Sequence, residues 1–251
     1  MNSQEASSST HVFLATPAYG AVVTVDYLSG VLDLYASAAR NGFSLTSRFL
    51  TSESLITRAR NSLVAQFLSD ERYTHLMWID ADIGFKGEDV VRLLQSKHQV
   101  VAGVYPTKTD GWPASGIEEP LPAGTTLADF RARYTVYPAN VKAGKLRFDA
   151  NGFIEVVDAP TGFMLIERSV FLSLIERYPE LEYRSGDSIQ YAFFDTMIDP
   201  ETKTYLSEDY AFCRLLRGIG IQPHIDSQSN LIHQGVARFS GDLKRSLALR
   251  S

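Results

Sequence analysis

The stretch His75-Leu76-Met77-Trp78-Ile79-Asp80-Ala81-Asp82 decides the fold. Its four consecutive apolar residues form a short run with no polar face, which suits a strand in the centre of a sheet. Two aspartates end it. Side chains alternate along an extended chain, so carboxylates two residues apart point roughly the same way and can reach one divalent cation or one sugar hydroxyl. Their mutual repulsion makes the pair costly without a cation. The simpler alternative is two solvated aspartates in a turn, capping a helix. The apolar strand before them favours a site.

Outward from this strand the pattern alternates. His11–Ala15 is a short apolar run, read as a first strand that stops in the loop Thr16-Pro17-Ala18-Tyr19-Gly20. Val25–Arg40 reads as a helix with Leu28, Val31, Leu32, Tyr35 and Ala39 at helical spacing, closed by Asn41-Gly42. Phe43–Leu50 suits a strand, and Ser54–Ser69 a helix with Ile56, Ala59, Leu63, Phe67 and Leu68 on one face. Beyond the aspartates come a helix over Gly87–Ser96 and a strand over Val100–Val104. Such alternation predicts an α/β domain with a mainly parallel sheet and helices on both faces. Ligands of such sheets sit beyond the carboxyl ends of the strands, where Tyr19, Asp80, Asp82 and Tyr105 all fall.

From Thr107 to Asp149 the pattern weakens: Pro113, Pro120, Pro122 and Pro138 interrupt it, leaving a long loop with a short helix over Leu127–Arg133. Loops of this length in a compact fold are often lids or binding loops. Regularity returns in strands Phe153–Val157 and Gly162–Glu167 and helix Ser169–Tyr178. Pro179–Leu206 reads as irregular, followed by helix Ser207–Arg217, strand Gln222–Asp226 and the segment Leu231-Ile232-His233. The expected layout is a disordered polar tail over 1–10, one domain over 11–240 with halves at 11–106 and 107–240, and a C-terminal helix or tail over 241–251.

Composition narrows the classes. The 251 residues are 45% hydrophobic and 21% charged, which argues against wholesale disorder. A net charge of −5 argues against a nucleic-acid partner, though a local positive site for a small phosphate compound fits. Cys213 is the one cysteine, so a disulfide framework or Cys-based zinc site is excluded. No apolar run approaches ~18 residues, and Met1–Thr10 is polar and Ser-rich, unlike a secretory signal. The expected location is cytoplasmic. Leu243 and Leu247, one helical turn apart near Lys244, Arg245 and Arg250, are expected to pack back onto the domain, with peripheral contact at the inner face of a membrane as the alternative.

The other candidates are polar residues near predicted element ends. His233 follows the last strand; a neutral imidazole is a common third ligand beside carboxylates, and a histidine bonded to a backbone carbonyl is the plainer alternative. Glu208 and Asp209 open a helix after Ser207, which suits capping and the helix dipole, or a general base. Arg60 lies inside the apolar face of its helix and needs an anionic partner, either a diphosphate or an internal carboxylate. Arg58 points away from that face. Lys108 is a further candidate phosphate or acid contact. Gly162 either admits a ligand close to the backbone or makes a turn. Trp112, Tyr191, Phe193 and Phe194 lie in irregular segments and either stack on sugar rings or pack locally.

Taken in order, several pieces resemble glycosyltransferases of the GT-A fold, which use nucleotide sugars, and in particular a bacterial and viral branch related to mannan-polymerase-type enzymes. They are Thr16–Gly20, Ala59-Arg60-Asn61 with Phe67-Leu68, His75–Ile83, Gly103–Lys108, Pro160–Phe163, Leu206–Cys213 and Leu231–Gly235. No single piece is specific; the ordered set, spanning residues 12 to 236, is. The resemblance implies that Asp80 faces the ribose or the metal, that Asp82 binds Mn²⁺ or Mg²⁺ bridging the diphosphate, and that His233 completes the metal site. It implies that Thr16, Pro17 and Tyr19 line the nucleotide pocket, with Arg60 near the base or diphosphate and Gly103 and Gly162 bordering the donor sugar. Asp209 is then the base of an inverting transfer, with Glu208 beside it. The implied partners are a nucleoside-diphosphate sugar and a glycan or lipid-linked glycan acceptor, as in lipopolysaccharide-type synthesis. The loop 107–150 departs from the family pattern, so the acceptor specificity is not implied.

Three rivals are weaker. A haloacid-dehalogenase-type phosphatase places its paired aspartates near the N-terminus with a small hydroxyl residue after them, whereas Ile83-Gly84 follows here. A sugar-phosphate nucleotidyltransferase carries a glycine-rich basic loop after its first strand, and Thr16–Gly20 has no lysine or arginine. A carbohydrate-binding module explains the loop aromatics but not the acidic and histidine residues.

Overall fold

Alternate residues of each central strand bury in opposite directions, and two apolar layers result. The computed structural model describes residues 9–109, 111–113, 115–117, 121–141 and 146–236. In chain order it forms β1 (His11–Ala18), α1 (Val25–Asn41), β2 (Ser44–Thr51), α2 (Ile56–Leu68), β3 (His75–Ile79), β4 (Ile83–Gly84), α3 (Gly87–Ser96) and β5 (Val100–Gly103). There follow α4 (Leu127–Tyr134), β6 (Phe153–Glu155), β7 (Phe163–Glu167), α5 (Arg168–Arg177), β8 (Glu182–Ser185) and β9 (Ser188–Tyr191). Last come β10 (Met197–Ile198), β11 (Tyr205–Leu206), α6 (Glu208–Gly218), β12 (His224–Asp226) and β13 (Ile232–His233).

The main sheet has seven strands in the order β2-β1-β3-β7-β5-β12-β6. β1 pairs in parallel with β2 and β3, and β5 with β12; β7 and β6 run antiparallel to their neighbours. This is the mainly parallel α/β sheet expected. Phe13, Leu76, Trp78, Ala102 and Met164 face α2, α5 and α6 through Leu63, Phe67, Phe171 and Phe212. Val12, Leu14, Met77, Ile79, Val101 and Leu165 face α1 and α3 through Tyr27, Val31, Leu34 and Leu93. Helices therefore cover both faces.

Several local expectations shift. β1 continues through Thr16-Pro17-Ala18, read from sequence as loop; past Ala15 it pairs only with β2, so one side is open and a proline is tolerated. The buried stripe of α1 is Tyr27, Val31, Leu34 and Ala38, while the expected Leu28, Leu32 and Tyr35 are exposed. Likewise Ile56 stands exposed at the start of α2, which begins after Leu55 rather than at Ser54. Gly42 closes α1 in the left-handed conformation, with φ 73° and its N–H donating to the Ala38 carbonyl, as Asn41-Gly42 predicts. Pro179–Leu206 is not wholly irregular: β8 and β9 form a hairpin across Gly186-Asp187, and β10 pairs with β11. Gly186 has φ 58°, the turn conformation a two-residue hairpin loop needs, so Gly-Asp between two alternating segments was the available signal.

Among the described residues of the long excursion after β5, α4 is the single helix, and none of its residues is buried. No helix among the described residues is long and apolar enough to cross a membrane. The segment 241–251, with Leu243 and Leu247, lies outside the described residues, as does the tail 1–10 apart from Ser9 and Thr10.

Candidate active site

The carboxyl ends of β1, β3 and β5 and the start of antiparallel β7 meet at one edge of the sheet. Beyond Ile79 the chain leaves the sheet in a tight turn: the Asp80 N–H donates to the Gly162 carbonyl at 2.9 Å and the Ile83 N–H to the Asp80 carbonyl at 3.0 Å. That turn corrects the period-two expectation, which needs extended backbone. The two carboxylates take different partners rather than sharing one.

Asp80 faces Arg60. The guanidinium Nη2 lies 3.1 and 3.2 Å from the two Asp80 carboxylate oxygens, and Nε lies 3.4 Å from Glu208 Oε1. Arg60 is 2% exposed and lies over the Trp78 ring at 5.1 Å. Burial opposes its charge, but Asp80 and Glu208 outweigh that and hold its pKa above the ordinary value. Within the protein, Arg60 thus has internal carboxylate partners. Arg58 is exposed and bonds Glu53, as its outward position implied.

Asp82 faces the other way. Lys108 Nζ donates to its Oδ2 at 2.5 Å, and His233 Nε2 stands 3.7 Å from its Oδ1. His233 is carried there by β13, which pairs with β4 directly after the aspartates, and the Gln234 N–H donates to the Asp82 carbonyl at 2.9 Å. His233 Nδ1 lies 2.8 Å from the Pro106 carbonyl. A proton on Nδ1 donates to that carbonyl and leaves the Nε2 lone pair open toward Asp82, the orientation that a ligating imidazole takes. Among the described residues no group of three or more His, Cys, Asp or Glu side chains is arranged around a common metal position. Asp82 Oδ1 and His233 Nε2, facing one another at 3.7 Å, are an oxygen and an imidazole donor of the kinds a divalent cation takes, while Asp80 is held by Arg60.

Asp209 lies in the first turn of α6, next to Glu208. The Ser207 hydroxyl donates to its Oδ1 rather than capping the helix, and the Tyr210 N–H donates to the same oxygen at 2.9 Å. Burial pushes the Asp209 pKa up, and the Glu208 charge adds to this.

A cleft of about 370 Å³ opens beside the aspartates, lined by Pro17, Val22, Thr24, Ile56, Asp80 and Asp82 among others. Pro17 is one of its lining residues, and Tyr19 stands exposed near the end of β1. Thr16 does not line it: it is fully buried and bonds Tyr27 Oη at 2.5 Å. Gly103 packs in the core, where a β-carbon would come within 2.7 Å of Phe163 and 2.8 Å of Leu231. At Gly162 a β-carbon would meet Tyr105 Oη at 2.3 Å and Asp80 Oδ2 at 2.9 Å, so the missing side chain lets those groups close in. Phe193 and Phe194 are fully buried core residues and cannot stack on a ligand; Tyr191 stacks on Phe193, and Trp112 packs on Phe130 and Tyr134.

Two further contributors are Tyr105, placed by the sequence at a strand end without a role, and Thr24, which the sequence did not single out. Tyr105 is buried, its hydroxyl accepts the Gly162 N–H at 3.2 Å, and burial with the Asp80 charge keeps it protonated. Its place at a strand end was the available signal. Thr24 caps α1, accepting the Tyr27 N–H at 3.2 Å, while its own N–H donates to the Ala81 carbonyl at 3.0 Å. Nothing local marks it as a cleft residue.

No family model and no curated protein sequence matches the chain. Among solved structures it is similar to A197 from STIV, at 16% identity and TM-score 0.45, covering 92% of this chain and 98% of that one. It is similar to GalNAc-T7, solved with UDP, GalNAc and Mn²⁺, at 13% identity and TM-score 0.41, over 91% of this chain and 44% of that one. A third likeness is to the catalytic domain of Drosophila β1,4-galactosyltransferase 7 with xylobiose, at 12% identity and TM-score 0.44, over 96% of this chain and 80% of that one. All three are distant. The chemistry of the site is therefore read from its own residues.

Proposed function

We propose that the chain is a glycosyltransferase of the GT-A type that moves a sugar from a nucleoside-diphosphate donor to a hydroxyl of a glycan or lipid-linked glycan acceptor. The observation that carries this reading is the convergence, at one sheet edge, of an Asp82–His233 pair and an Asp80 held by Arg60, with Asp80 and Asp82 lining an open cleft and a partly buried Asp209 close enough to Arg60 to feel its charge. The ordered motifs that resemble those of the mannan-polymerase-type branch support the same assignment.

In this reading the nucleotide lies in the cleft between Pro17, Thr24 and Ile56, and Asp80 accepts a ribose hydroxyl. Arg60 holds the Asp80 carboxylate in place. Asp82 and His233 hold Mn²⁺ or Mg²⁺ through one oxygen and one nitrogen. A cation held there would supply positive charge that stabilises a departing diphosphate. Asp209 takes the proton of the acceptor hydroxyl as that oxygen bonds to the anomeric carbon and the carbon–phosphate-oxygen bond breaks. Burial helps, because a carboxylate with a raised pKa is a stronger base. A single displacement of this kind inverts the anomeric centre.

Calorimetry with a panel of nucleoside diphosphates tests the first half. With Mn²⁺ present one of them binds about 10-fold or more tighter than with chelator, within the usual range for coupled ligands. Asp82→Asn removes most of that difference and leaves the melting temperature nearly unchanged, since Asp82 is partly exposed at a turn. Equal affinity with and without Mn²⁺ for every nucleotide would sink the cation assignment. Slow release of nucleoside diphosphate from one of a set of nucleotide sugars tests the second half.

A further inference from the structure

Lys108 is a cation lying where the proposed reaction wants one. Its Nζ sits 2.5 Å from Asp82 Oδ2, while the other oxygen of the same carboxylate faces His233 Nε2 at 3.7 Å. Half of Asp82 is thus neutralised by an ammonium and half is left for the imidazole. The lysine reaches it along Gly235, where a β-carbon would come within 2.9 Å of Lys108 Cδ and 3.4 Å of Cε. Both members of the pair keep solvent contact, with side chains 42% and 35% exposed, so the pair separates readily. The same short stretch holds both partners of Asp82, because the Pro106 carbonyl orients His233. It also roots the long excursion: the Thr107 N–H donates to the Val136 carbonyl at 2.8 Å.

We infer that Lys108 is an exchangeable counter-ion: it neutralises Asp82 while the site is empty, and it moves to the donor diphosphate when a divalent cation takes Asp82. This rests on the reading of Asp82 and His233 as the cation site. The physical logic is competition. A divalent cation arriving alone must displace an ammonium and then sit beside it, which disfavours binding. A diphosphate arriving with the cation gives the displaced ammonium a partner, so the two ligands bind together far better than either alone. Lys108 thereby also ties the root of the excursion to donor occupancy.

The test uses the full chain and two probes. The first is Mn²⁺ alone, followed by loss of the free-ion electron paramagnetic resonance signal. The second is UDP and GDP at saturating Mn²⁺, followed by calorimetry. Lys108→Met takes up Mn²⁺ alone about 10-fold more tightly than the wild type, and binds the nucleoside diphosphate about 10-fold more weakly when Mn²⁺ saturates, a coupling of ordinary size. Lys108→Arg keeps the cation and stays near wild type in both measurements. A lysine that only repels cations would tighten Mn²⁺ without weakening the nucleotide, and that result overturns the exchange. Unchanged Mn²⁺ uptake in Lys108→Met overturns it too, while leaving the cation site intact if the wild type still needs Mn²⁺ for nucleotide. Absence of Mn²⁺ uptake in every protein, with nucleotide or without, removes the cation site and the exchange together.

Discussion

Arg60→Ala melts about 6–12 °C below the wild type, at ~2–4 °C per kcal/mol for a chain of this size and about 3 kcal/mol lost. The loss comes from two carboxylates. Arg60 bonds Asp80 through Nη2 and Glu208 through Nε, and its side chain is 3% exposed. Removing the guanidinium strands both acids and opens a gap over the Trp78 ring. Breaking a fully buried pair costs ~3–5 kcal/mol, and the partial exposure of Asp80 and Glu208 puts this site at the low end. Converting the whole group to neutral residues tests the cause: Arg60→Met with Asp80→Asn and Glu208→Gln recovers much of the stability that Arg60→Met alone loses. Nucleotide affinity, measured well below the transition, changes far less than stability in Arg60→Ala. Normal melting with lost nucleotide binding is the opposite pattern, and it would put the guanidinium on the ligand.

That ion pair illustrates what a sequence reveals and what it withholds. An arginine on the apolar face of a helix announces an anion, but two anions fit the announcement. Only the packing of α2 beside the end of β3 and the start of α6 identifies Asp80 and Glu208 as the partners. The strands buried on both sides were legible for a simple reason. β3 and α3 fall at His75–Ile79 and Gly87–Ser96, as read, because an unbroken apolar run and a short amphipathic stretch each admit one solution. The face of α1 was not legible, because it carries two apolar stripes. Tyr27, Val31, Leu34 and Ala38 are spaced as well as Leu28, Leu32 and Tyr35, and spacing alone does not say which one meets the sheet. The Asp82–His233 approach depends on pairing between two strands of two residues each, far too short to leave a pattern. Thr16 and Gly103 sit in motif positions yet serve packing, which only their neighbours disclose.

Asp209→Asn transfers sugar, or in the absence of acceptor hydrolyses the donor, ~10²–10⁴-fold more slowly than the wild type, the usual cost of losing a general base. The competing explanation of Asp209 is structural, since an acid in the first turn of α6 favours the helix dipole by ~0.3–1 kcal/mol. Stability cannot separate the two, because Glu208 shares that position. The surroundings of the carboxylate bear on the choice. The Ser207 hydroxyl is turned onto the Asp209 carboxylate instead of the helix N–H groups, and burial lifts the Asp209 pKa. Burial prepares a base, while the Ser207 hydroxyl opposes the rise and holds the carboxylate in place. The raised pKa has a sign that rate measurements read: as pH falls, Asp209 protonates earlier than an ordinary aspartate, so the acidic limb of the rate profile is shifted to higher pH than an ordinary aspartate gives. Asp209→Asn removes that limb along with most of the rate, while Mn²⁺-dependent nucleotide binding persists, because Asp82 and His233 are untouched. Glu208→Gln is milder in rate, and costs stability through Arg60 instead. Near-normal turnover in Asp209→Asn would take Asp209 out of the chemical step and, with it, the argument for an inverting displacement, leaving a retaining transfer to be tested by the anomeric configuration of the first product.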